Sequence, residues 1–566
     1  MKTIHLKNYL YCGDNTLAVR LALADCQPGT TLSLDGLKLD FYNYYAQTSF
    51  EMYPLYDQTA KRYVFYLDKM QNITVDGEGA ELIFHGDIAP FGVYRSKNIT
   101  LKNFSIDYFH PFFFQAKIVS VGADYYEIET QSDEFKARLT SQGELNFYSE
   151  HDDFSHLTSA PLVTEFDAEH ARPSFMLAYF PNIKPEKPIA DFLKSLEHKM
   201  RCEQVGPNRL RFYYLEPPKH RHTEGNYWVC LHGSRKNCAI YLQESDQVIS
   251  NNIQMYGSAA MGVVGLRTNN ITASYVNSTV PNGRMVAVKD DMFHLVNCGG
   301  KVELAYCTTE NMMDDAVNIH GNYLTVDKIL NANTVMATLN NPQKAVYSCA
   351  ARAQDILTAT NPETLLPEFD LTVLKTKRIS MNGMLLTLKE PVTDRLKAGT
   401  LLENRAQMPE VYFHHCKTGN NRPRGFLIAT PKKTVIEHCK FYNSCEAIKL
   451  TALAEPYFES GRVANLTVQN CLFYNAAYLG APVISSAPRV NGNSTQGVHQ
   501  NITIQNNTFY SNGSGLIKLF KTDRVFIKNN TYIKTNFGVA RKPFNNGVFA
   551  ENCNEVIAEK LKVEKA

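Results

Sequence analysis

Two pairs of adjacent aspartates near the middle of the 566-residue chain are the residues best suited to chemistry. The first pair is Asp290-Asp291 and the second is Asp314-Asp315, which places Asp291 and Asp314 23 residues apart. Three carboxylates held in contact repel one another, so the pKa of at least one of them should rise. Glycoside hydrolysis requires this inequality, because one carboxylic acid protonates the leaving oxygen while an ionised carboxylate activates water or attacks the sugar carbon.

Polar and basic residues near these pairs, or in matching segments of a repeated motif described below, are candidates for binding a substrate. They are Asp290, His294, Asn318, His320, Arg267, Arg284, Arg424 and Lys449. An imidazole can hydrogen-bond to a sugar hydroxyl or to an aspartate. Two structural alternatives compete with catalysis, a solvated charged face and a calcium site made of carboxylates. The acidic pairs stand in apolar, strand-like text, which favours the functional reading, and we expect no metal and no cofactor.

A short motif recurs along the chain and predicts the element that positions these residues. Each copy has an Asn, alternating β-branched residues, and then a second Asn or an aromatic residue. Copies begin at Asn72, Asn98, Asn270, Asn465 and Asn501. The first two copies are 26 residues apart, and a period in the twenties with one strand and one turn is typical of a β-solenoid. Alternation places the aliphatic residues inside, and the Asn residues should stack in ladders at the bends.

The spacing of the acidic pairs matches this period. One coil should bring Asp291 beside Asp314 and Asp315, since stacked strands lie about 4.8 Å apart. Strict alternation, however, would turn Asp291 and Asp315 into the core and leave Asp290 and Asp314 outside. Asp290 is therefore a competing candidate, and Asp291 and Asp315 reach the solvent only if both pairs lie at bends or bulges.

Two stretches, residues 116–232 and 328–410, interrupt the repeat with sequences typical of small β-barrel-like insertions. Near the N-terminus, Asp14 precedes a short amphipathic helix that can cover the open end of a solenoid. We predict an all-β fold, a right-handed parallel β-helix with two inserted small β-barrel-like domains. The predicted units are an N-terminal cap with the first coils (1–115), the first insertion (116–232), central coils with the catalytic residues (233–327), the second insertion (328–410) and C-terminal coils (411–566).

The composition narrows the partners and the compartment. The chain has 58 basic and 56 acidic residues, a net charge of +2, which favours a neutral oligosaccharide or glycoconjugate over nucleic acid. The 13 cysteines lack metal-like spacing and are expected to be reduced and mostly buried. No run approaches the roughly 18 apolar residues of a membrane span. The N-terminus shows no signal peptide, which predicts a cytoplasmic protein if Met1 is the native start and a periplasmic or secreted one if a signal was removed. A homo-oligomer is compatible with the sequence.

The residues of the acidic segments resemble glycoside hydrolase family 110, the bacterial α-1,3-galactosidases. The likeness covers most of the chain and is sharpest in Asp291-Met-Phe-His-Leu-Val-Asn-Cys-Gly-Gly-Lys and Asp314-Asp-Ala-Val-Asn-Ile-His-Gly. Weaker echoes are Arg422-Pro-Arg-Gly and Phe458-Glu-Ser-Gly, and Tyr457 replaces an expected Trp. The resemblance implies a parallel β-helix with barrel-like insertions and no cofactor. It also implies inverting hydrolysis of terminal α-1,3-linked galactose, from blood-group B structures or from linear galactosyl-galactose ends.

The resemblance also implies roles for the three catalytic candidates. Asp314 would be the general acid, and Asp291 and Asp315 would hold and deprotonate the attacking water. The acidic pattern is also similar to polygalacturonases, but Ala447-Ile-Lys449 only partly matches their Arg-Ile-Lys motif, which makes a uronate substrate less favoured. Two alternatives stay open, a β-helical polyuronate hydrolase or lyase and a non-catalytic carbohydrate-binding solenoid.

Overall fold

The recurring motif folds into stacked coils whose strands pair in parallel with those of the coils before and after. In the computed structural model, the described residues are 2–49, 60–150, 154–158, 163–174, 201–214, 221–232, 235–281, 283–340, 351–490, 492 and 494–564. Three parallel ladders run along the molecule, and side chains of alternate residues fill the space between them. The predicted parallel β-helix is confirmed by these pairings, while its right-handed sense stays a prediction.

The first ladder begins at the N-terminus and runs to the last coil. Its strands are Lys2–His5, Thr30–Ser33, Gln71–Phe84, Lys97–Tyr108, Asp246–Met255, Asn269–Ser278, Gly299–Ala305, Glu410–His414, Thr434–Glu437, Leu466–Gln469, His499–Gln505, Thr522–Lys528 and Val556–Ala558.

The second ladder shares the later halves of the long strands between residues 71 and 278. Its separate strands are Lys38–Phe41, Thr308–Glu310, Lys417–Gly419, Lys440–Tyr442, Leu472–Tyr474, Thr508–Ser511, Thr531–Lys534 and Lys562–Glu564.

The third ladder, here called the site sheet, carries the acidic segments at one end of its strands. Its strands are Lys61–Asp68, Ala89–Tyr94, Ile240–Gln243, Val263–Leu266, Phe293–Val296, Val317–Asn331, Phe426–Ile428, Ile448–Leu450, Ile484–Ser486, Ile517–Phe520 and Val548–Glu551. Two short strands, Gln47–Ser49 and Glu459–Ser460, pair antiparallel at its edges.

Asparagines form the predicted ladders at the bends. Asn72 and Asn98 adopt positive φ values of 55° and 53°, a conformation that Asn tolerates well. The Asn98 amide donates a hydrogen bond to the Asn72 side chain at 2.7 Å, and the Asn252 amide donates to Asn103 at 2.9 Å in another bend. Each coil is therefore tied to the preceding one by side chains as well as by backbone.

The interior is aliphatic with runs of stacked rings. Phe441, Phe473 and Phe509 stack in successive coils, with ring centroids 5.0 Å and 4.6 Å apart. Twelve cysteines in the described ranges are free thiols, eight of them buried, which confirms the expectation of reduced, mostly buried cysteines. Cys349 lies outside the described residues.

Helices are few. Asn15–Ala24 is an α-helix whose N-cap Asp14 accepts a hydrogen bond from the backbone N–H of Leu17 at 2.8 Å, and the helix buries one face on the first coils, as predicted. Three 3₁₀ helices span Leu6–Cys12, Arg405–Gln407 and Asn545–Gly547. No helix in the described part of the chain combines the length and apolarity needed to span a membrane.

The first interruption of the repeat contains antiparallel strands that share one aromatic core. Seven of them form one sheet and three form another. They are Phe113–Val121, Tyr125–Glu129, Lys136–Leu139, Leu145–Tyr148, Ser155–Thr158, Val163–Asp167, Arg172–Pro173, Cys202–Gly206, Arg209–Tyr213 and Tyr227–Leu231. Among the described residues neither sheet closes on itself, and barrel closure of this insertion stays a prediction.

The second interruption is a closed barrel of six antiparallel strands. Its strands are Val317–Asn331, Thr334–Thr338, Ile356–Thr360, Pro367–Arg378, Gly383–Leu388 and Leu401–Asn404. Closure follows because Tyr323 in the first strand pairs with Glu403 in the last. The first strand continues a strand of the site sheet, so the barrel grows directly out of it. The division of the chain into five units stays a prediction.

Candidate active site

Four successive strands of the site sheet begin after the same bend. We label them β1 (Phe293–Val296), β2 (Val317–Asn331), β3 (Phe426–Ile428) and β4 (Ile448–Leu450). Their first residues are in register. The residue two positions before each strand therefore occupies the same place in its coil, and these residues are Asp291, Asp315, Arg424 and Glu446.

Both acidic pairs lie in the irregular segment before the strand, not in the strand itself. Both pairs therefore lie at bends, as predicted, and strict alternation does not apply to them, but Asp291 and Asp315 are still buried and do not reach the solvent as expected. Oxygen atoms of Asp291, Asp314 and Asp315 all lie within 4.8 Å of one another. The backbone N–H of Asp315 also donates to Oδ1 of Asp291 at 3.1 Å. Stacked bends thus assemble the three predicted carboxylates into one cluster.

Accessibility differs among the aspartates. The side chain of Asp314 is 17% exposed, whereas those of Asp291 and Asp315 are 3% and 1% exposed. Asp290 is also buried and does not belong to the group of three. A substrate entering from solvent therefore meets Asp314 first, with the other carboxylates beneath it.

Two guanidinium groups hold the aspartates in place. Arg424 binds Asp315 through two hydrogen bonds, 2.6 Å from Nε to Oδ1 and 2.8 Å from Nη2 to Oδ2. Arg235 bridges the two pairs, with Nε 2.8 Å from Asp290 Oδ1 and Nη2 2.8 Å from Asp314 Oδ2. Arginine suits this position because its planar fork can bind two carboxylate oxygens at once.

The two predicted histidines lie in series beside the cluster, so that His294 contacts Asp291 and His320 contacts His294. His294 Nδ1 lies 2.8 Å from Asp291 Oδ2, and His294 Nε2 lies 3.1 Å from His320 Nε2. His320 Nδ1 in turn lies 2.6 Å from the carbonyl oxygen of Gly321. His294 therefore has the aspartate partner that the sequence analysis expected for one of these rings, whereas His320 contacts His294 and a backbone carbonyl.

Charge and burial separate the pKa values of the carboxyls. Burial raises the pKa of Asp291 well above its usual range, and the charge of Asp314 adds to this. Burial also raises the pKa of Asp315, although Arg424 opposes it. For Asp314, burial is outweighed by Arg235 and Arg424, which hold its pKa below the ordinary value. The expected inequality is therefore present, with Asp314 as the most readily ionised of the three.

The same three carboxylates offer oxygen ligands that a divalent cation would accept. Arg235 and Arg424 already take up oxygens of Asp314 and Asp315 and supply positive charge at the cluster. The arrangement therefore suits acid–base chemistry better than a metal centre.

Further groups line the next coils. On the outward face of the sheet, Asn318 in β2, Leu427 in β3 and Lys449 in β4 are in register. Lys449 Nζ lies 3.1 Å from Glu446 Oε1. Burial opposes ionisation of Glu446, but Lys449 and its other partners keep the pKa of this carboxyl below the ordinary value. The outward face of the sheet beside the cluster therefore presents a charge-paired lysine.

Two predicted substrate-binding residues lie elsewhere and are corrections to the sequence analysis. Arg267 follows its strand, at the end opposite the acidic bend, and pairs with Asp355 of the inserted barrel at 3.4 Å. Arg284 binds Asp107 at 2.8 Å and also pairs with Glu134, which joins the first insertion to the coils. Both guanidinium groups are engaged in ion pairs that join the coils to the insertions.

Arg235 and Glu446 are the functional candidates that sequence reasoning missed. Glu446 could have been found, since it stands two residues before a strand, as do Asp291, Asp315 and Arg424. Arg235 gives no comparable signal, because it follows the first insertion and lies five residues before its site-sheet strand.

Sequence comparisons reveal relatives that share most of the chain. An α-1,3-galactosidase A of Shewanella woodyi is 27% identical over 538 residues, 94% of this chain and 85% of the relative. An α-1,3-galactosidase B of Bacteroides thetaiotaomicron is 25% identical over 561 residues, 96% and 88% of the two chains. An α-1,3-galactosidase B of Phocaeicola vulgatus is 28% identical over 431 residues, 73% and 66% of the two chains. The names of these relatives point to a glycoside hydrolase acting on galactosides.

No family model matches the chain. Among solved structures, a family 28 exopolygalacturonase of Yersinia enterocolitica covers 98% of this chain, and 78% of its own chain is matched, with a TM-score of 0.41 and 10% identity. An exopolygalacturonase of Thermotoga maritima gives a TM-score of 0.28, with 9% identity and coverage of 96% and 92%.

Proposed function

We propose that the protein is an inverting exo-α-1,3-galactosidase of the family 110 type, acting at the bend cluster. The observation that carries the proposal is the meeting of Asp291, Asp314 and Asp315 oxygens within 4.8 Å, with pKa values shifted in opposite directions. The names of the sequence relatives supply the sugar and the linkage. The substrate would be a glycan or glycoconjugate with a terminal α-1,3-linked galactose, of blood-group B type or linear.

The proposed reaction uses the three carboxylates in unequal roles. Water held by Asp291 and Asp315 attacks the anomeric carbon and gives its proton to one of them, while the bond from that carbon to the leaving oxygen breaks. Asp314 protonates the leaving oxygen, which its greater exposure allows. Inversion yields β-galactose and the free alcohol.

The resting protonation differs from the one that catalysis needs. Arg235 and Arg424 lower the pKa of Asp314, whereas burial raises the pKa of both Asp291 and Asp315, so a proton held by the cluster before substrate binds lies on Asp291 or Asp315 rather than on Asp314. Transfer of this proton to Asp314 when substrate binds would create the acid and the base in one step. The closeness of the three carboxyls makes such a transfer short.

Stereochemistry is the sharpest test of the mechanism. Oxygen atoms of the three carboxylates approach one another within 4.8 Å, whereas the two carboxyl groups of inverting enzymes usually lie roughly 6.5–9.5 Å apart, so a retaining reaction is the specific competitor. A nuclear magnetic resonance time course on galactosyl-α-1,3-galactose should show β-galactose first. Initial release of α-galactose would overturn inversion while leaving the galactosidase assignment intact.

The acid assignment is tested by the leaving group. Asp314→Asn should abolish hydrolysis of the disaccharide and retain more activity on a nitrophenyl α-galactoside, whose leaving group needs no proton. Asp315→Asn should lose activity on both substrates. A panel that adds α-linked galacturonides distinguishes a uronate hydrolase, and binding without hydrolysis of any substrate would favour the carbohydrate-binding alternative.

A further inference from the structure

Three buried hydrogen bonds run in series from Asp291 through His294 and His320 to the carbonyl of Gly321. Each bond needs one proton between its two heavy atoms, and the carbonyl oxygen can only accept. Two neutral imidazoles beside an ionised Asp291 supply two protons, one fewer than the three bonds require. This series of hydrogen bonds therefore carries one additional proton, either on Asp291 or on one of the two imidazole rings.

The positions of the nearby arginines favour one of the imidazole rings over Asp291 as the site of this additional proton. Asp290, Asp314 and Asp315 each have an arginine in contact. No Lys or Arg nitrogen lies within 4.0 Å of Asp291 in the part of the chain that the structure describes, where its side-chain partners are His294 and the backbone N–H of Asp315. An imidazolium at His294 would give Asp291 the counter-charge that the other three aspartates receive from arginine.

The need for a counter-charge follows from burial. Burial and the charge of Asp314 raise the pKa of Asp291. A nearby cation favours the ionised form of this carboxyl, and Arg235 and Arg424 already lower its pKa in part without contacting it. His320 can share the positive charge, because its Nε2 lies 3.8 Å from Glu459 Oε1 on the neighbouring antiparallel strand. The charged groups facing the two rings or their carboxylate are Asp290, Asp291, Asp314, Asp315, Glu459, Arg235 and Arg424.

We propose that His294 and His320 share one titratable proton that serves as the counter-charge of Asp291, and that both are positioning residues for this carboxylate. The hydrogen bonds through His294 and His320 fix the position of Asp291 Oδ2 and keep this carboxylate ionised, so that it can hold the attacking water. The kinetic consequence rests on the proposed function, whereas the proton count does not.

The proton is tested without substrate by ¹⁵N resonance of histidine-labelled protein, with His294→Gln and His320→Gln for assignment. At about pH 7.5, one unit above the ordinary pKa of histidine, one of the two rings should carry protons on both nitrogens. Two neutral rings at that pH would overturn the proposal. A doubly protonated ring in a protein that hydrolyses no α-galactoside would sink the proposed function and leave the proton assignment standing.

The consequence for catalysis is tested by the pH dependence of kcat/KM on galactosyl-α-1,3-galactose. His294→Gln keeps a hydrogen-bond donor for Asp291 but cannot carry its counter-charge. The acid limb should move to higher pH by about one unit or more, and kcat should fall more than KM rises. His320→Gln should give a smaller shift in the same direction, and it serves if the first variant fails to fold.

The matched control is His499→Gln, a buried histidine whose Nδ1 accepts the backbone N–H of Val463 at 3.0 Å. His499→Gln should lower the stability of the protein without shifting the acid limb of the pH profile of kcat/KM. An acid limb unmoved in a folded His294→Gln protein would contradict the positioning role.

Discussion

Arg424 binds both carboxylate oxygens of Asp315, at 2.6 Å and 2.8 Å, although the two residues are 109 positions apart in the chain. The inserted barrel, which closes through Tyr323 and Glu403, accounts for most of that separation. The coils on either side of the barrel are nonetheless adjacent, because Val317 pairs with Phe426. Asp315 is therefore oriented by a coil that the chain reaches only after the barrel is complete.

Arg424→Lys should lower kcat strongly while leaving the fold intact. An ammonium group cannot reproduce the two parallel hydrogen bonds, and a displaced Asp315 loses its alignment with the water. A misplacement of about 1 Å costs roughly 10²-fold in rate. Steady-state kinetics on galactosyl-α-1,3-galactose, with a thermal melt of the same sample, measure both effects. Arg405→Lys, at an exposed pair with Asp370, is the control and should behave as wild type.

Phe473→Ala should destabilise the protein without a specific effect on catalysis. Phe473 is fully buried between Phe441 and Phe509, and its removal leaves a cavity in the stack. The expected loss in the free energy of unfolding is about 3–5 kcal/mol. The neighbouring Tyr474 points outward and is 45% exposed, so Tyr474→Ala should cost below about 1 kcal/mol. Equal losses in denaturant unfolding would contradict the assignment of the inner face.

The architecture was accessible from the sequence because a solenoid repeats its own signal. Asn72 and Asn98 mark the same bend in consecutive coils, and the register of their strands follows from that spacing. The same one-coil spacing predicted that Asp291 lies beside Asp314 and Asp315. It also required bends at both acidic pairs, since a regular strand would have pointed Asp291 and Asp315 into the aliphatic interior, whereas the bends bury them against Asp314 and its arginines.

The arginines show where such reasoning ends. A repeat predicts which residues share a coil position, but Arg267 and Arg284 lie at other positions and are engaged by Asp355 and by Asp107 with Glu134. Two of these partners, Asp355 and Glu134, belong to the insertions, whose packing on the coils has no period to read. Arg235 escaped notice for a related reason, because it follows an insertion.

Removal of divalent cations should leave activity unchanged. Arg235 and Arg424 provide the positive charge at the carboxylates, so the proposed reaction has no step that needs a metal. Activity on galactosyl-α-1,3-galactose before and after prolonged treatment with a chelator checks this, with added calcium as the return arm. Loss of activity that calcium restores would instead support the lyase alternative, in which the acidic cluster binds the ion.

Asp315→Asn should abolish activity yet raise stability at the alkaline end of the accessible pH range. Because the pKa of Asp315 is raised in the folded protein, that state binds a proton more tightly than the unfolded chain does. Its contribution to stability therefore falls as pH rises from the ordinary aspartate value of about 3.9 through the raised pKa. The amide mimics the neutral carboxyl at every pH, so the melting temperature of the variant relative to wild type should increase as pH rises from the ordinary aspartate value through the raised pKa of Asp315.

Asp76→Asn is the opposite case and serves as the control. Burial would raise the pKa of Asp76, but Lys102, Asn103 and the backbone of Glu78 outweigh it and hold that pKa below its ordinary value. Its stabilising contribution is present above the unfolded pKa and is lost only as pH falls through the lower folded value. Asp76→Asn should therefore lower the melting temperature by a similar amount across the same interval. A relative melting temperature of Asp315→Asn that instead stays lowered by a constant amount, as expected for Asp76→Asn, would show that Arg424 keeps Asp315 ionised, and the resting proton would then have to be placed elsewhere in the cluster.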